Sequence, residues 1–308
     1  MTSQKIDFDN VPSRRGGDSH KWNRFAAGGE DVIAAWVADM DFPAPEPVLE
    51  AVRARLDGPA LGYSDAPPEL LQVVLERMQR LYGWEVQPDW LVHLTGVVPG
   101  LFGAVRAAGG AGDGVIVQAP NYHHFYGAVG HSDRKLLALG HSLQAGRWEM
   151  DLDQMAELAG QGASSLLLCN PHNPLGRVLD RAELEQIADV CLRNDLLLCS
   201  DEIHAELVLD RDKQHIPVAT LSAEVAQKSI TLVSPSKVFN LPGIGGFALA
   251  VIPDPAVREA FQRVLHGFAG FPSALIYHAA VAAWRDCDDW LAQLLDYLRG
   301  NRDYLEAE

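Results

Sequence analysis

The sequence predicts a three-layer α/β/α fold, in which helices cover both faces of a mainly parallel sheet, together with part of a small second domain. Apolar strand-like runs alternate with helical patterns from Trp90 to Gly267. The runs are continuously apolar, which is typical of strands buried on both faces. Because a helical pattern stands between most consecutive runs, right-handed crossovers are expected to join neighbouring strands.

The expected elements follow one another in a regular order. The run WLVHLTG precedes the helical VPGLFGAVRAAGG, and GVIVQAP precedes NYHHFYGAVG. KLLALG comes before the helical LDQMAELAG, and SSLLLCNP leads through RAELEQIADVCLRND to LLLCSDEI. SITLVSPSK and GFALAVIP then come before DPAVREAFQRVLHG. These apolar runs are the expected strands of the sheet.

The two ends of the chain do not follow this alternation. Residues 1–45 hold tryptophans, glycines and the proline cluster DMDFPAPEP, and are expected to form an arm and part of the small domain. Residues 46–285 are the expected large domain. From Ser273 the pattern stays helical for roughly 35 residues, against about 11–12 for a usual helix. Residues 286–308 are therefore expected to start a long helix that leads to a C-terminal small domain absent from this chain.

Composition limits the partners and the compartment. The chain has 308 residues, is 48% hydrophobic and carries a formal net charge of −16. Such an acidic surface repels phosphate backbones, so nucleic acid is not expected as a partner. With no apolar run of about 18 residues, no membrane span is expected. The polar N-terminus lacks a signal-peptide core, which favours a cytoplasmic location.

The cysteines and histidines do not indicate a metal site. None of the four cysteines forms a CxxC pair, and we expect them to be buried thiols in a reducing compartment. The eleven histidines include the stretch YHHFYGAVGH, whose spacing does not bring several ligands onto one helical face. We therefore expect surface or pocket histidines.

Chemically useful residues follow five of the predicted strands. Ligands of open parallel sheets bind at the carboxyl ends of the strands, so these residues are expected to converge. They are Gly96 to Gly100, Asn121 and Tyr122, Asn170 to Pro174, Asp201 to His204, and Ser234 with Ser236 and Lys237. The set suits an aromatic aldehyde that carries a phosphate.

The phosphate would lie at the start of a helix. Gly96 allows close backbone approach, and Pro99 suits a first helical turn. That turn offers free N–H groups and the positive end of the helix dipole, and Ser234 would add a hydroxyl.

The aromatic ring would be held by side chains from four strand ends. Tyr122 would stack on it and Asn173 would bond a ring hydroxyl. Asp201 would pair with a protonated ring nitrogen, and Lys237 would form a Schiff base through an amine whose pKa is lowered by burial. Singly, each residue has a simpler explanation, such as a helix cap, a turn, core packing or a snorkelling lysine. Their joint order is what predicts a site for an electron-sink cofactor.

The stretches NPHNP, SDEIH and SPSKVFNLPG resemble pyridoxal-phosphate enzymes of the aspartate aminotransferase fold, fold type I. A finer resemblance, to the MalY/PatB-type cystathionine β-lyases, is carried by VADMDFPAP, LGYSD, APNYHHFY, SDEIHAEL and SKVFNLPG together. The similarity runs from roughly residue 30 to the end of the chain. It implies the cofactor pyridoxal 5'-phosphate and a homodimer that builds each site from both subunits.

The resemblance also implies a role for individual residues. Lys237 would carry the cofactor and Asp201 would hold the pyridine nitrogen. His204 would take a place where aminotransferases usually have a tyrosine, although a polar rim residue is the alternative. Tyr63 would reach the phosphate of the neighbouring subunit. The remaining implied contacts are Asn173 to the ring hydroxyl, Tyr122 on the ring face, and Gly96, Val97, Val98 and Ser234 around the phosphate.

Two departures from the family pattern bear on activity. Aminotransferases commonly have an arginine eight residues after the lysine, and Gly245 stands there, as is common in the lyase-like subgroup. The substrate-carboxylate arginine of the family lies in a C-terminal segment, and this chain ends before it. A bidentate arginine clamp contributes much to amino-acid recognition.

Three functions remain open from the sequence. The first is a carbon–sulfur β-lyase that converts cystathionine or a related cysteine thioether to thiol, pyruvate and ammonia, with catalytic Lys237, Asp201 and Tyr122. The second is a class I/II aminotransferase on the same scaffold. The third is a truncated homologue that keeps the fold without turnover. His204 and Gly245 favour the lyase.

Overall fold

The structure, a computed structural model, describes residues 5–29, 31–58 and 60–308. The strands in this part of the chain are β1 (Leu91–Leu94), β2 (Gly114–Gln118), β3 (Lys135–Leu139), β4 (His141–Gln144), β5 (Arg147–Met150), β6 (Ala163–Cys169), β7 (Leu197–Asp201), β8 (Ser229–Val233) and β9 (Ala248–Val251). The helices are α1 (His20–Asn23), α2 (Glu46–Asp57), α3 (Pro68–Tyr82), α4 (Val97–Ala107), α5 (His123–Gly130), α6 (Leu152–Ala159), α7 (Arg181–Arg193), α8 (Ala223–Gln227), α9 (Pro255–Leu265), α10 (Ala274–Asp286) and α11 (Asp288–Ala307).

Seven strands form one sheet in the order β1-β9-β8-β7-β6-β2-β3. Neighbours are parallel from β8 to β3, whereas β9 is antiparallel to both β8 and β1. The mainly parallel sheet is thus confirmed. The hairpin β4–β5 was not predicted. Its turn residues Ala145 and Gly146 have φ of 48° and 81°. Alanine rarely adopts this left-handed conformation, so the sequence does not predict the turn.

Helices cover both faces of the sheet because successive strand residues point to opposite sides. Val115 and Val117 of β2 pack with α4, α5 and α9, and Ile116 between them packs with α6 and α7. A third apolar cluster joins α2, α3, α10 and α11 to β9 and the segment that follows β8. The sheet is therefore buried on both faces, which explains its continuously apolar strands.

The helical pattern of the last 36 residues is two helices, so the prediction of one long helix is wrong. Cys287 has φ −111° and ψ 19° and interrupts the helix between α10 and α11. Its buried thiol donates to the carbonyl of Ala282, while Asp288 and Asp289 favour a new helix start through the helix dipole. Among the described helices, none combines the length and the apolar character needed to cross a membrane.

The N-terminal arm reaches the carboxyl edge of the sheet. Its polar contacts centre on Asp41, which accepts hydrogen bonds from Lys21 Nζ at 2.7 Å and from the indole N–H of Trp22 at 2.8 Å. These interactions hold the pKa of Asp41 below its usual range, against the effect of burial. Phe42 packs edge-on against Phe8, with ring centroids 4.9 Å apart. The arm is thus a folded part of the molecule.

Candidate active site

A cleft of about 920 Å³ lies at the carboxyl ends of β1, β2, β6, β7 and β8. Eight of the ten predicted site residues line it: Gly96, Val97, Tyr122, Asn173, Asp201, His204, Ser234 and Lys237. Val98 is the second residue of α4 but is not part of the lining, and Tyr63 lies outside the cleft with its side chain fully exposed. Residues as far apart in the chain as Gly96 and Lys237 therefore share one concave surface.

The first strand end presents the N-terminus of α4 to the cleft. Gly96 precedes this helix with φ 135°, a backbone conformation that side-chain-bearing residues rarely adopt. No side chain caps the helix among the described residues, and the first N–H groups of a helix lack intrahelical partners. The turn therefore offers N–H donors and a positive dipole end to an anion.

Gly246 lets this turn approach the start of β9. A Cβ atom at Gly246 would lie 1.9 Å from the carbonyl oxygen of Thr95, the residue before Gly96. Contacts this short are not tolerated between a Cβ atom and backbone, so the turn would have to move. The glycine is thus required for the shape of the anion-binding turn.

We expect Gly246→Ala to lower the free energy of unfolding by about 1–3 kcal/mol and to weaken phosphate binding at the turn. Urea titration and phosphate-dependent thermal melting measure the two effects. Gly243→Ala is the matched control, because a Cβ there would have no neighbour within 4 Å. Equal stability of the two variants would contradict the argument.

Ser234 is buried and its hydroxyl is already engaged. Its Oγ donates to the carbonyl of Phe247 at 2.6 Å and accepts the N–H of Ser236 at 3.1 Å. The hydroxyl proton is therefore bound to the carbonyl of Phe247, just before β9, and is not free for a ligand. Ser236, which the sequence also places at this strand end, lines the cleft as well.

Asp201 ends β7 and is 3% exposed. Burial raises the pKa of its carboxyl to about 7, although the N–H of Ile203, 3.3 Å from Oδ1, and the charge of Lys237 act in the opposite direction. Glu202 adds to the increase. A buried carboxylate with this pKa binds a cationic partner strongly, because pairing removes the cost of burying its charge.

Lys237 stands in the turn after β8 and faces two acids. Its Nζ donates to the carbonyl of Ala38 at 3.2 Å. Burial lowers the pKa of its amine, while the charges of Asp39 and Asp201 raise it. A lowered amine pKa increases the neutral, nucleophilic fraction at neutral pH.

Tyr122 precedes α5 and presents an aromatic ring to the cleft beside two histidines. Its ring centroid lies 4.7 Å from that of His123 and 4.9 Å from that of His124. Burial, together with the charge of Asp201, raises the pKa of the Tyr122 hydroxyl. The residue before Tyr122 is Asn121, whose buried Nδ2 has no hydrogen-bond partner among the described residues and remains available to a ligand.

Asn173 and His204 complete the predicted set on the other side of the cleft. The backbone N–H of Asn173 lies 3.4 Å from the thiol of Cys169, and the residue is part of the lining. Burial, with a smaller contribution from the charge of Lys237, lowers the pKa of His204 to about 4. His204 is therefore a neutral imidazole at neutral pH.

One wall of the cleft was missed by the sequence reasoning. Residues 35–38 of the N-terminal arm form it, and Trp36 stacks beneath the guanidinium of Arg24, 4.4 Å from the ring centroid. His20 lies edge-on to the same indole, with centroids 5.0 Å apart. Only the family resemblance pointed to the stretch VADMDF, since no local spacing in the sequence connects it to Lys237.

Comparison with known proteins identifies the family. A family model described as aminotransferase class I and II matches residues 32–308. The cystathionine beta-lyase PatB of Bacillus subtilis is 36% identical over 307 residues, which cover 98% of this chain and 79% of PatB. The chain therefore belongs to the class I and II aminotransferase family.

Solved structures agree with this assignment. The crystal structure of OvoB superposes with a TM-score of 0.93 at 44% identity, covering 97% of this chain and 78% of OvoB. Cystalysin from Treponema denticola, whose structure contains a pyridoxal 5'-phosphate cofactor, also has a TM-score of 0.93, at 32% identity with 98% and 78% coverage. Fold type I, expected from the resemblance, is confirmed.

Proposed function

We propose that this member of the class I and II aminotransferase family is a pyridoxal-phosphate-dependent carbon–sulfur β-lyase that cleaves cystathionine or related cysteine thioethers. The observation that carries the proposal is the meeting of Lys237, Asp201 and the N-terminus of α4 in one cleft. The 36% identity to a cystathionine beta-lyase supports the lyase among the activities of the family.

The described residues fit the cofactor. Asp201 is a buried carboxylate that a protonated ring nitrogen would neutralise, and the start of α4 offers N–H donors to a phosphate. The unpartnered Nδ2 of Asn121 offers a further donor at the same cleft. When bound, pyridoxal 5'-phosphate supplies an aldehyde for the substrate amine and an electron-withdrawing ring that stabilises negative charge at the α-carbon.

Lys237 would be the general base of the elimination. Its Nζ would take the α-proton of the substrate, which its lowered pKa favours at neutral pH. The thiolate then leaves the β-carbon, and water converts the resulting enamine to pyruvate and ammonia. Tyr122 would limit the movement of the substrate from the α5 side of the cleft, and residues 35–38 of the arm would exclude water from the opposite side.

The backbone at Gly245 supports elimination over transamination. Gly245 has φ 144°, in the region that residues with a side chain rarely adopt. An arginine at this position would therefore strain the turn, and this turn cannot supply the phosphate-binding arginine of typical aminotransferases. The phosphate would depend more strongly on the start of α4.

We propose a homodimer in which Tyr63 contributes to the neighbouring site. Tyr63 is fully exposed and lies outside its own cleft, as a residue that serves another subunit would. Leu61 is 65% exposed and Phe271 is 91% exposed, which leaves large apolar side chains for a subunit contact.

The thiols agree with the cytoplasmic location that we propose. Cys169, Cys191, Cys199 and Cys287 are free and buried. Free thiols persist in reducing compartments, whereas secreted proteins commonly use cysteines in disulfides.

Incubating the purified protein and pyridoxal 5'-phosphate with cystathionine is expected to release thiol, pyruvate and ammonia in equal amounts. The stoichiometry follows from β-elimination, which leaves no amino group on the protein. A thiol reagent, a lactate dehydrogenase assay and an ammonia assay measure the three products. Transfer of the amino group to an added keto acid without thiol release would instead identify an aminotransferase.

A further inference from the structure

Asn240, three residues after Lys237, connects the sheet body to the N-terminal arm. Its Oδ1 accepts the N–H of Met40 at 3.1 Å. Its Nδ2 donates to the carbonyl oxygens of Met40 and Phe42, each at 3.0 Å. One side chain thus makes three hydrogen bonds to backbone that lies 200 positions earlier.

The local backbone directs Asn240 towards the arm. The chain turns after β8 through hydrogen bonds from the N–H of Phe239 to the carbonyl of Pro235 and from that of Leu241 to Ser236. Asn240 ends this turn with φ 55°, a left-handed conformation that asparagine tolerates better than most residues. Lys237 and Asn240 therefore belong to one short rigid segment.

The arm segment held by Asn240 borders the cleft. Ala38, two residues before Met40, accepts the hydrogen bond of Lys237 Nζ, and Trp36 to Ala38 line the cleft. The other side-chain hydrogen bonds to residues 38–42 within the described chain come from Arg14, Lys21 and Trp22, all of the arm itself. In the described residues, Asn240 and Lys237 alone connect this segment to the sheet body by side-chain hydrogen bonds.

We propose that Asn240 is a positioning residue, which holds residues 38–42 against the turn so that the arm forms a fixed wall of the substrate cleft beside Lys237. The role in substrate binding rests on the proposed lyase function. The role in holding the arm does not, because the three hydrogen bonds exist in the chain by itself. Phe42 adds apolar packing at the far end of the segment, against Phe8 and Tyr297, and does not reach the cleft.

Asn240→Gly is the informative variant, because glycine keeps the left-handed backbone and removes the three hydrogen bonds. Hydrogen exchange followed by mass spectrometry is expected to show at least about tenfold faster exchange at Met40 and its neighbours, the ratio that about 1.4 kcal/mol of lost protection produces. Asn240→Asp keeps an acceptor for the Met40 N–H and is expected to exchange at an intermediate rate. Asp133→Gly is the matched control, since Asp133 has φ 54° on a distant turn.

The kinetic readout separates positioning from simple stability. For Asn240→Gly with cystathionine we expect KM to rise at least about fivefold while kcat stays within about twofold, because the wall contributes to substrate binding. If Asn240→Gly has a lower melting temperature, an unchanged KM and hydrogen exchange that is faster to the same degree throughout the chain, Asn240 has a structural role and the proposal is overturned. Unchanged exchange at residues 38–42 would overturn it as well.

The two hypotheses fail in different ways. If the wild-type protein releases no thiol, the proposed lyase function is wrong, and the exchange of residues 38–42 in Asn240→Gly still decides whether Asn240 holds the arm. Faster exchange confined to the arm then supports the positioning role. Equal exchange in Asn240→Gly and Asp133→Gly refutes it.

Discussion

Replacing Lys237 by alanine is expected to lower lyase turnover at least about a thousandfold, because one change removes both the covalent attachment point and the general base. The purified wild-type protein with pyridoxal 5'-phosphate should show a visible absorption band that Lys237→Ala lacks. Absorption spectra and thiol release measure the two effects. The alanine leaves the carbonyl of Ala38 without its hydrogen bond, a loss at a partly exposed position that should not unfold the protein.

Lys228→Ala is the matched control for this experiment. Lys228 also lies close to β8, but its amine pairs with Asp195 on the exposed surface, away from the cleft. We expect this variant to keep the absorption band and full turnover. A visible band that persists in Lys237→Ala would place the covalent attachment at another amine and contradict the assignment.

The strands were predictable from the sequence because their environment is uniform. A strand covered by helices on both faces needs mainly apolar residues. Unbroken apolar runs occur in β2, β6 and β7 (Val115–Val117, Leu166–Cys169 and Leu197–Cys199), and only Thr231 interrupts the run of β8. The hairpin β4–β5 is mostly exposed and carries no such constraint, so its sequence does not stand out. The break at Cys287 was missed because helical periodicity continues across it when α10 and α11 pack on the same core.

The site, like the fold, has a part that the sequence predicts and a part that it does not. Residues at the ends of parallel strands converge by topology, and eight predicted residues therefore line one cleft. The direction of a hydroxyl proton does not follow from topology, and Ser234 turns its proton to Phe247. The arm segment beside the wall at Trp36 to Ala38 is bonded by Asn240 through the carbonyl of Met40, a contact across 200 residues that no periodicity encodes.

The role that we propose for Asp201 requires a negative charge, which burial of the side chain disfavours. Asp201→Asn is expected to lower lyase turnover about 10²–10³-fold, since an amide cannot hold a protonated ring nitrogen by charge and this removes a preorganised electrostatic interaction. Thiol release from cystathionine measures the loss. Asp212→Asn is the control, because Asp212 lies outside the cleft. Full turnover in Asp201→Asn would exclude an electrostatic role for this carboxylate.

The same substitution is expected to have the opposite effect on the stability of the cofactor-free chain. The pKa of Asp201 is raised to about 7 in the folded protein, from 3.8 in the unfolded chain, mainly by burial. A group with a raised folded pKa contributes stability at low pH that is lost as pH rises towards and through about 7. Wild type should therefore lose stability relative to Asp201→Asn between pH 4 and pH 8, as urea titrations of both proteins would show.

The comparison between the two proteins isolates Asp201 from the histidines that titrate in the same range. His204 and His172 have pKa values lowered to about 4 by burial, so both favour the folded state above their unfolded pKa and lose that contribution as the pH falls. They are present in both proteins and cancel from the difference. Addition of pyridoxal 5'-phosphate at pH 8 should then raise the free energy of unfolding of wild type relative to Asp201→Asn, because a protonated ring nitrogen compensates the charge of the buried carboxylate. A stability difference that is independent of both pH and cofactor would contradict this account of Asp201.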